Sequence, residues 1–219
     1  FTRTDTLNNE EHQALIAHLK TTLGAGLSEL QYTTIGPTVG ASLKRSSAFA
    51  LTAAMIAVIL YVSFAFRKMP RDLNPWSFGI TTILAMLHDI IIILGLFTIL
   101  SYYTTFQIDT LFISALLSVM GYSVSDTIVI FDRIRENLTT EKQRMDFPEV
   151  ASRSLRQSLS RTLNTGVGAL IMLCALFFFG AESIRWFILT FIIGTIIGTY
   201  SSFFIATPLL IFWKQRHRS

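Results

Sequence analysis

Five long apolar runs constrain this chain more than any other feature. They cover about residues 46–66, 75–103, 111–131, 162–179 and 184–213. At ~1.5 Å of rise per helical residue, each can cross a hydrocarbon core of ~30 Å, some with tilt. Lipid offers no partner to a backbone N–H or C=O, so each run must satisfy its own backbone, as a helix does. Composition agrees: 51% of the residues are hydrophobic and only 15% charged, whereas a soluble domain carries ~25% charged residues. The expected fold class is an α-helical integral membrane protein with five transmembrane helices. Asn74-Pro75 marks the start of the second run, as an N-cap followed by proline at the first helical position. The one cysteine, Cys174, lies inside the fourth run, so no intrachain disulfide can form.

The net charge is only +4, but its placement is uneven. Arg67, Lys68 and Arg71 follow the first run. Arg133, Arg135, Lys142, Arg144, Arg153, Arg156 and Arg161 fill the link between the third and fourth. Lys214, Arg216 and Arg218 lie in the tail, 214–219. The opposite links, 104–110 and 180–185, hold only Arg185. Basic loops stay on the cytoplasmic side. This predicts a cytoplasmic C-terminus and an extracytoplasmic (periplasmic) segment 1–45. Lys44 and Arg45 run against the rule at the outer end of the first run.

Segment 1–45 reads as the end of a larger α/β domain. "NNEEHQALIAHLKTTLG" places Leu15, Ile16, Leu19 and Leu23 on one helical face, with Asn8 or Asn9 as cap and Gly24 as stop. "ELQYTTI" reads as a strand. One helix and one strand cannot bury a core. The chain opens on Phe1 with no signal peptide, and is expected to be a piece of a longer or processed product. On the basic side, the segment 146–160 reads as an amphipathic interfacial helix with a capping box of Asp146 and Glu149. Its leucines, Leu155, Leu159 and Leu163, line one face.

Ionisable residues inside the runs narrow the function. Asp89, beside His88, lies mid-way along the second run, Asp126 lies in the third, and Arg161 opens the fourth. A charge at the bilayer centre costs ~2.5–3.5 kcal/mol. Such residues persist where they face a bundle interior, find a partner or stay neutral. Helical spacing sets Asp126 beside Ser114, Ser118, Gly121 and Ser125, with Ala115 and Tyr122 adjacent, and small polar stripes of this kind pack against helices. Thr81, Ala85, His88, Asp89 and Ile92 form a weaker stripe in the second run. Arg161, Thr165, Gly168 and Ala169 share a face in the fourth, and Gly194, Gly198 and Ser202 in the fifth. A carboxylate held between desolvation and a nearby cation can exchange protons. Asp126 is the candidate relay residue, Arg161 its candidate cation and Asp89 a weaker third. Ser125, Tyr122, Gly121 and Thr165 support the relay face. The plain alternatives are an arginine snorkelling to the interface, a structural, neutral Asp89, and a solvated helix end over Asp132 and "RIREN".

The run "GYSVSDTIVIFDRIREN", residues 121–137, resembles the signature of the SecF family. "IGPTVGASL", "LHDIIIILG", "SLSRTLNTG" and "IIGTIIGTYSS" add to the resemblance, which covers nearly the whole chain. The resemblance implies membership of the resistance-nodulation-division superfamily. It implies a six-helix bundle of which five helices are present here, following a truncated periplasmic domain. It places the family's functional aspartate on Asp126 and its arginine on Arg161. The implied role is a proton-motive-force-driven, non-enzymatic part in late preprotein translocation, with protons as the coupling ion and no other cofactor. Implied partners are SecD, separate or fused, the SecYEG translocon, YajC and YidC, the unfolded preprotein and membrane lipid, with no nucleic acid. The implied location is the bacterial inner membrane.

Three competing classes stand beside this one. An intramembrane aspartyl protease wants Gly-x-Gly-Asp at its second aspartate, where residues 123–126 read Ser-Val-Ser-Asp. A proton-coupled transporter of a lipid or small molecule shares the superfamily. In a non-catalytic scaffold the polar stripes serve only to pack helices.

Overall fold

The computed structural model describes residues 9–23, 37–68, 74–104, 106–140 and 146–216. The strand expected at "ELQYTTI", the stop at Gly24 and the cap at Asn8 lie outside the described residues. Two units are distinguished, residues 1–48 and 49–219. The first holds helix α1 (Asn9–Leu23) and the opening turns of α2 (Pro37–Ala65). The second holds the rest of α2, then α3 (Pro75–Tyr103), α4 (Thr110–Thr140), α5 (Phe147–Phe179), α6 (Arg185–Ser201) and α7 (Thr207–Arg216). Among the described residues there is no strand. Five stretches are long and apolar enough to cross a membrane: Ser42–Ala65, Pro75–Tyr103, Thr110–Thr140, Phe147–Phe179 and Glu182–Arg216.

The helix starts have local causes. Asn74 Oδ1 accepts the N–H of Trp76 at 3.1 Å, with Pro75 in the first turn. Asp109 does the same for α4, taking the N–H of Phe112 at 2.8 Å. At α5, Asp146 is the N-cap residue, but its side chain makes no capping bond. Its main-chain carbonyl instead accepts from Glu149 and Val150, both at 3.1 Å. The capping box is therefore not formed.

α4 and α5 are longer than the apolar runs they contain. α4 continues to Thr140 and α5 begins at Phe147, so the two form a hairpin that extends past the hydrophobic stretch. The segment 146–160 is thus continuous in one helix, α5, with the apolar run that follows it. Ile134, Leu138, Val150 and Ala151 are buried in this extension. Asn137 Nδ2 donates to Ser154 Oγ and to Gln157 Oε1, both at 2.8 Å, and Arg133 Nε donates to Gln157 at 2.8 Å. "RIREN" is consequently half-packed: Asp132 and Glu136 stay exposed, while Ile134 and Asn137 turn inward. Leu159 and Leu163 are 44% and 46% exposed, and the packed strip is Val150, Ala151, Ser154, Ser158, Thr162 and Gly166. Helices that approach closely select small side chains for the contact and displace leucines to its edge.

Aromatic clusters close both ends of the second unit. Phe66, Phe78 and Phe131 join α3, α4 and the turn after α2, with ring centres 5.2–6.0 Å apart. At the other end, Phe97, Phe106, Phe112 and Trp186 pack in tilted and edge-on pairs with centres 4.9–5.4 Å apart. Between them, α6 lies tight against α4. A Cβ at Gly194 would overlap the Val119 side chain, and one at Gly198 would sit 2.9 Å from Ser123 Cβ. The Gly194, Gly198 and Ser202 face is therefore a close-packing face. α6 then widens into a π segment, Ser202–Ala206, before α7. Pro208 explains the site of the widening: it has no N–H for the carbonyl of residue 204, and its ring crowds that carbonyl.

Candidate functional site

The layer between the aromatic clusters is polar, and α3, α4 and α6 build it. Asp89 is its centre, 2% exposed. Its Oδ2 accepts Ser123 Oγ–H at 2.7 Å from α4 and Ser201 Oγ–H at 2.8 Å from α6. Its Oδ1 lies 3.1 Å from Nδ1 of His88, a neighbour on the same helix. One carboxylate thus ties three helices together. The stripe of Thr81, Ala85 and Asp89 is buried as a unit.

Asp126 lies one turn further along α4 and is 6% exposed. Its Oδ2 accepts Thr199 Oγ1–H from α6 at 3.1 Å. Thr127 and Ser202 share a hydrogen bond of 2.9 Å, and the Ser202 hydroxyl also reaches the Gly198 carbonyl at 2.9 Å. Asp89 of α3 and Asp126 of α4 therefore both bond hydroxyls of the polar seam between α4 and α6. The π segment starts at its last residue. Such segments recur at functional sites.

The Tyr122 ring is half-buried, with its hydroxyl inside the bundle. A Cβ on Gly166 of α5 would lie 3.2 Å from that hydroxyl and 3.7 Å from Thr199 Oγ1. Gly166 thus lets α5 approach the Asp126 side of the seam. Gly166 of α5, Tyr122 of α4 and Thr199 of α6 thus meet beside Asp126.

Other expected site residues lie elsewhere. Ser114, Ser118, Gly121 and Ser125 are exposed on the outer side of α4, and no atom lies within 4 Å of where a Gly121 Cβ would stand. Asp126 does not share their face: it turns inward with Val119, Ser123 and Thr127. Arg161 and Thr165 are exposed on α5, and the Thr165 hydroxyl donates to the Arg161 carbonyl at 3.0 Å. Among the described residues no ion pair joins Asp126 to Arg161; the bond on Asp126 comes from Thr199. The four-residue spacing identified small polar stripes on α4 and α5, but a stripe does not say which neighbour covers it.

Ser123, Thr199 and Ser201 are the functional candidates that sequence reasoning missed. A buried aspartate needs donors, so donors had to exist. Their positions, 34 and 112 residues beyond Asp89 and 73 beyond Asp126, are set by packing. Chemically, the seam can hold or release a proton at either carboxylate. It can also exchange which hydroxyls pair with which oxygen. Among the described residues, no cluster of His, Cys, Asp and Glu is arranged to hold a metal ion.

Comparison with known proteins points one way. Residues 15–216 match the family "Protein export membrane protein SecD/SecF, C-terminal". The chain is 41% identical over 209 residues to the protein translocase subunit SecF of Thermobaculum terrenum, covering 95% of this chain and 64% of that protein. It is 37% identical over 186 residues to the protein translocase subunit SecDF of Thermus thermophilus, covering 85% of this chain and 24% of that one. A crystal structure of SecDF from Thermus, a translocon-associated membrane protein, superposes with a TM-score of 0.77 at 34% identity, over 95% of this chain and 27% of that chain. SecDF in its super-membrane-facing form gives 0.72 at 32% identity, over 97% and 27%.

Proposed function

The chain belongs to the SecD/SecF C-terminal family of protein export membrane proteins, and from that premise we propose that it is the membrane part of a SecF-type subunit. In this reading the subunit works with a SecD partner, separate or fused, and uses the proton gradient to assist preprotein export. SecYEG, YajC and YidC are the expected neighbours in the membrane, and the unfolded preprotein is the substrate. The fused relative from Thermus supports the SecD pairing. The outward small-polar stripes Ser114–Ser118–Gly121–Ser125 and Arg161–Thr165 suit the same partner, because small residues let helix backbones approach closely. The Lys and Arg content of the loops supports a cytoplasmic C-terminus and an extracytoplasmic segment 1–45.

The observation that carries the reading is the pair of buried carboxylates bonded to hydroxyls of the α4–α6 seam. Ionisable residues kept inside a membrane bundle mark ion and proton pathways. Protonation of Asp126 removes a charge and changes what Thr199 can pair with. The contact between α4 and α6 then changes where the π segment leaves α6 least constrained. Arg161, on the partner-facing side, supplies a cation that the ionised Asp126 can meet when the helices shift. No covalent step on the substrate is required.

The test is Asp126→Asn, which keeps shape and cannot ionise, in the full-length subunit together with its SecD partner. Export of a secreted reporter is followed in vesicles with and without an imposed proton gradient. Loss of the gradient-driven increment, with gradient-independent export retained, is expected. An unchanged increment would sink the relay and leave the scaffold. Accumulation of an uncleaved membrane substrate would instead revive the protease.

A further inference from the structure

A groove of about 320 Å³ runs between α5 and the π-widened end of α6. Leu159, Leu163, Val167 and Leu170 form one wall, and Ile196, Tyr200 and Phe204 the other. From Leu159 to Leu170 it extends ~16 Å along the helix. Gly166, Thr195 and Thr199 lie on its floor, so the residue that bonds Asp126 also lines the groove.

The walls stay open at membrane depth. Val167, Ile196 and Phe204 are 52%, 53% and 67% exposed. Bulk lipid covers any apolar surface, but a concave slot with a charge at its mouth is a more selective feature. Arg156 supplies that charge. It is exposed on α5, three residues before Leu159 and seven before Leu163, and so continues the same strip of the helix. The charge-free part of α5, residues 162–179, is ~27 Å long, close to the hydrocarbon thickness of ~30 Å. Arg156 lies ~9 Å beyond its edge, at the level of the headgroups.

We propose that this groove is a binding site for an anionic phospholipid, with one acyl chain between α5 and α6 and the phosphate against Arg156. A chain seated there touches Thr199 and braces the α6 backbone at the π segment. The site does not depend on Asp126 moving protons, since its recognition elements are the slot and the arginine.

The test uses the full-length subunit with its SecD partner, reconstituted in vesicles of phosphatidylglycerol and phosphatidylethanolamine. One lipid at a time carries a diazirine in its acyl chain, and adducts are mapped by mass spectrometry. Phosphatidylglycerol adducts are expected to concentrate on Leu163–Leu170 and Ile196–Phe204, well above those on Ile91 and Ile99 of α3. Val167→Trp, which fills the slot from an exposed position, should remove the groove adducts and leave those on α3. Arg156→Gln should lower phosphatidylglycerol adducts about fivefold and leave phosphatidylethanolamine adducts unchanged. Three results would overturn the site: equal labelling of groove and α3, groove labelling indifferent to Val167→Trp, or groove residues cross-linked to a partner helix in place of lipid. Equal labelling by both lipids in the unmodified protein would overturn the role of Arg156.

Discussion

Removing Asp89 is expected to loosen the bundle by more than its single side chain suggests, because three helices share that carboxylate. Ser123 and Ser201 donate to the same oxygen at 2.7 and 2.8 Å. Interhelical hydrogen bonds in membranes average ~0.6 kcal/mol and reach ~1.7. Two of them, plus a small cavity at a 2% exposed position, put Asp89→Ala at about 2–3 kcal/mol of lost stability. The unfolded reference keeps its helices inserted, so the cost of holding a carboxyl group in lipid falls on both states. The serines have fallbacks: Ser201 Oγ already lies 3.2 Å from the Gly198 carbonyl. A double-mutant cycle separates these contributions. Asp89→Ala and Ser201→Ala should couple by about 0.6–1.7 kcal/mol. The assay is reversible denaturant titration of the full-length complex in mixed micelles, read by the fluorescence of Trp186, which meets the Phe106 ring edge-on. Additivity within ~0.3 kcal/mol, the behaviour of independent sites, would refute the joint.

Three further outcomes follow from the packing. Gly198→Leu should destabilise the bundle by about 1–3 kcal/mol in the same titration, since even a Cβ meets Ser123 at 2.9 Å. Gly121→Leu should leave that stability unchanged, having open space around it, yet weaken co-purification with the SecD-type partner; unchanged co-purification would move the partner face elsewhere. Thr199→Val should slow gradient-driven export by about threefold to tenfold, the effect of one lost hydrogen bond of ~1 kcal/mol, while Thr199→Ser keeps the wild-type rate.

The membrane class and the helices themselves were legible because lipid leaves a backbone few choices. The Gly194–Gly198–Ser202 face was legible for a related reason: only a close neighbour makes small residues at four-residue spacing useful. The same logic says less at Ser114, Ser118, Gly121 and Ser125, which are exposed in this chain. Smallness announces a close neighbour but not whether this chain supplies it. Asp126 is separated from that stripe by a rotation of ~100° from Ser125, enough to move it from the outer side of α4 to the seam. The α4–α5 hairpin was hidden for another reason. Its contact strip is Ser154, Ser158 and Asn137, polar residues that look solvated until a second polar helix is set against them.

The arrangement of stiff and soft parts also bears on mechanism. Both ends of the second unit are held by interlocked aromatic rings, which bury large areas with few alternative packings. The middle is held by hydroxyl–carboxylate bonds, and Ser201 reaches both the Asp89 carboxylate at 2.8 Å and the Gly198 carbonyl at 3.2 Å. A change of charge at Asp89 or Asp126 therefore acts on the layer held by these polar contacts. The π segment at Ser202–Ala206 lies directly after that layer, and with Pro208 it can absorb a local rotation of α6 without breaking an aromatic cluster. A proton arriving at the seam would thus move the contact between α4 and α6 more readily than either end of the bundle, and that contact lies on the opposite side of α4 from the stripe expected to meet SecD.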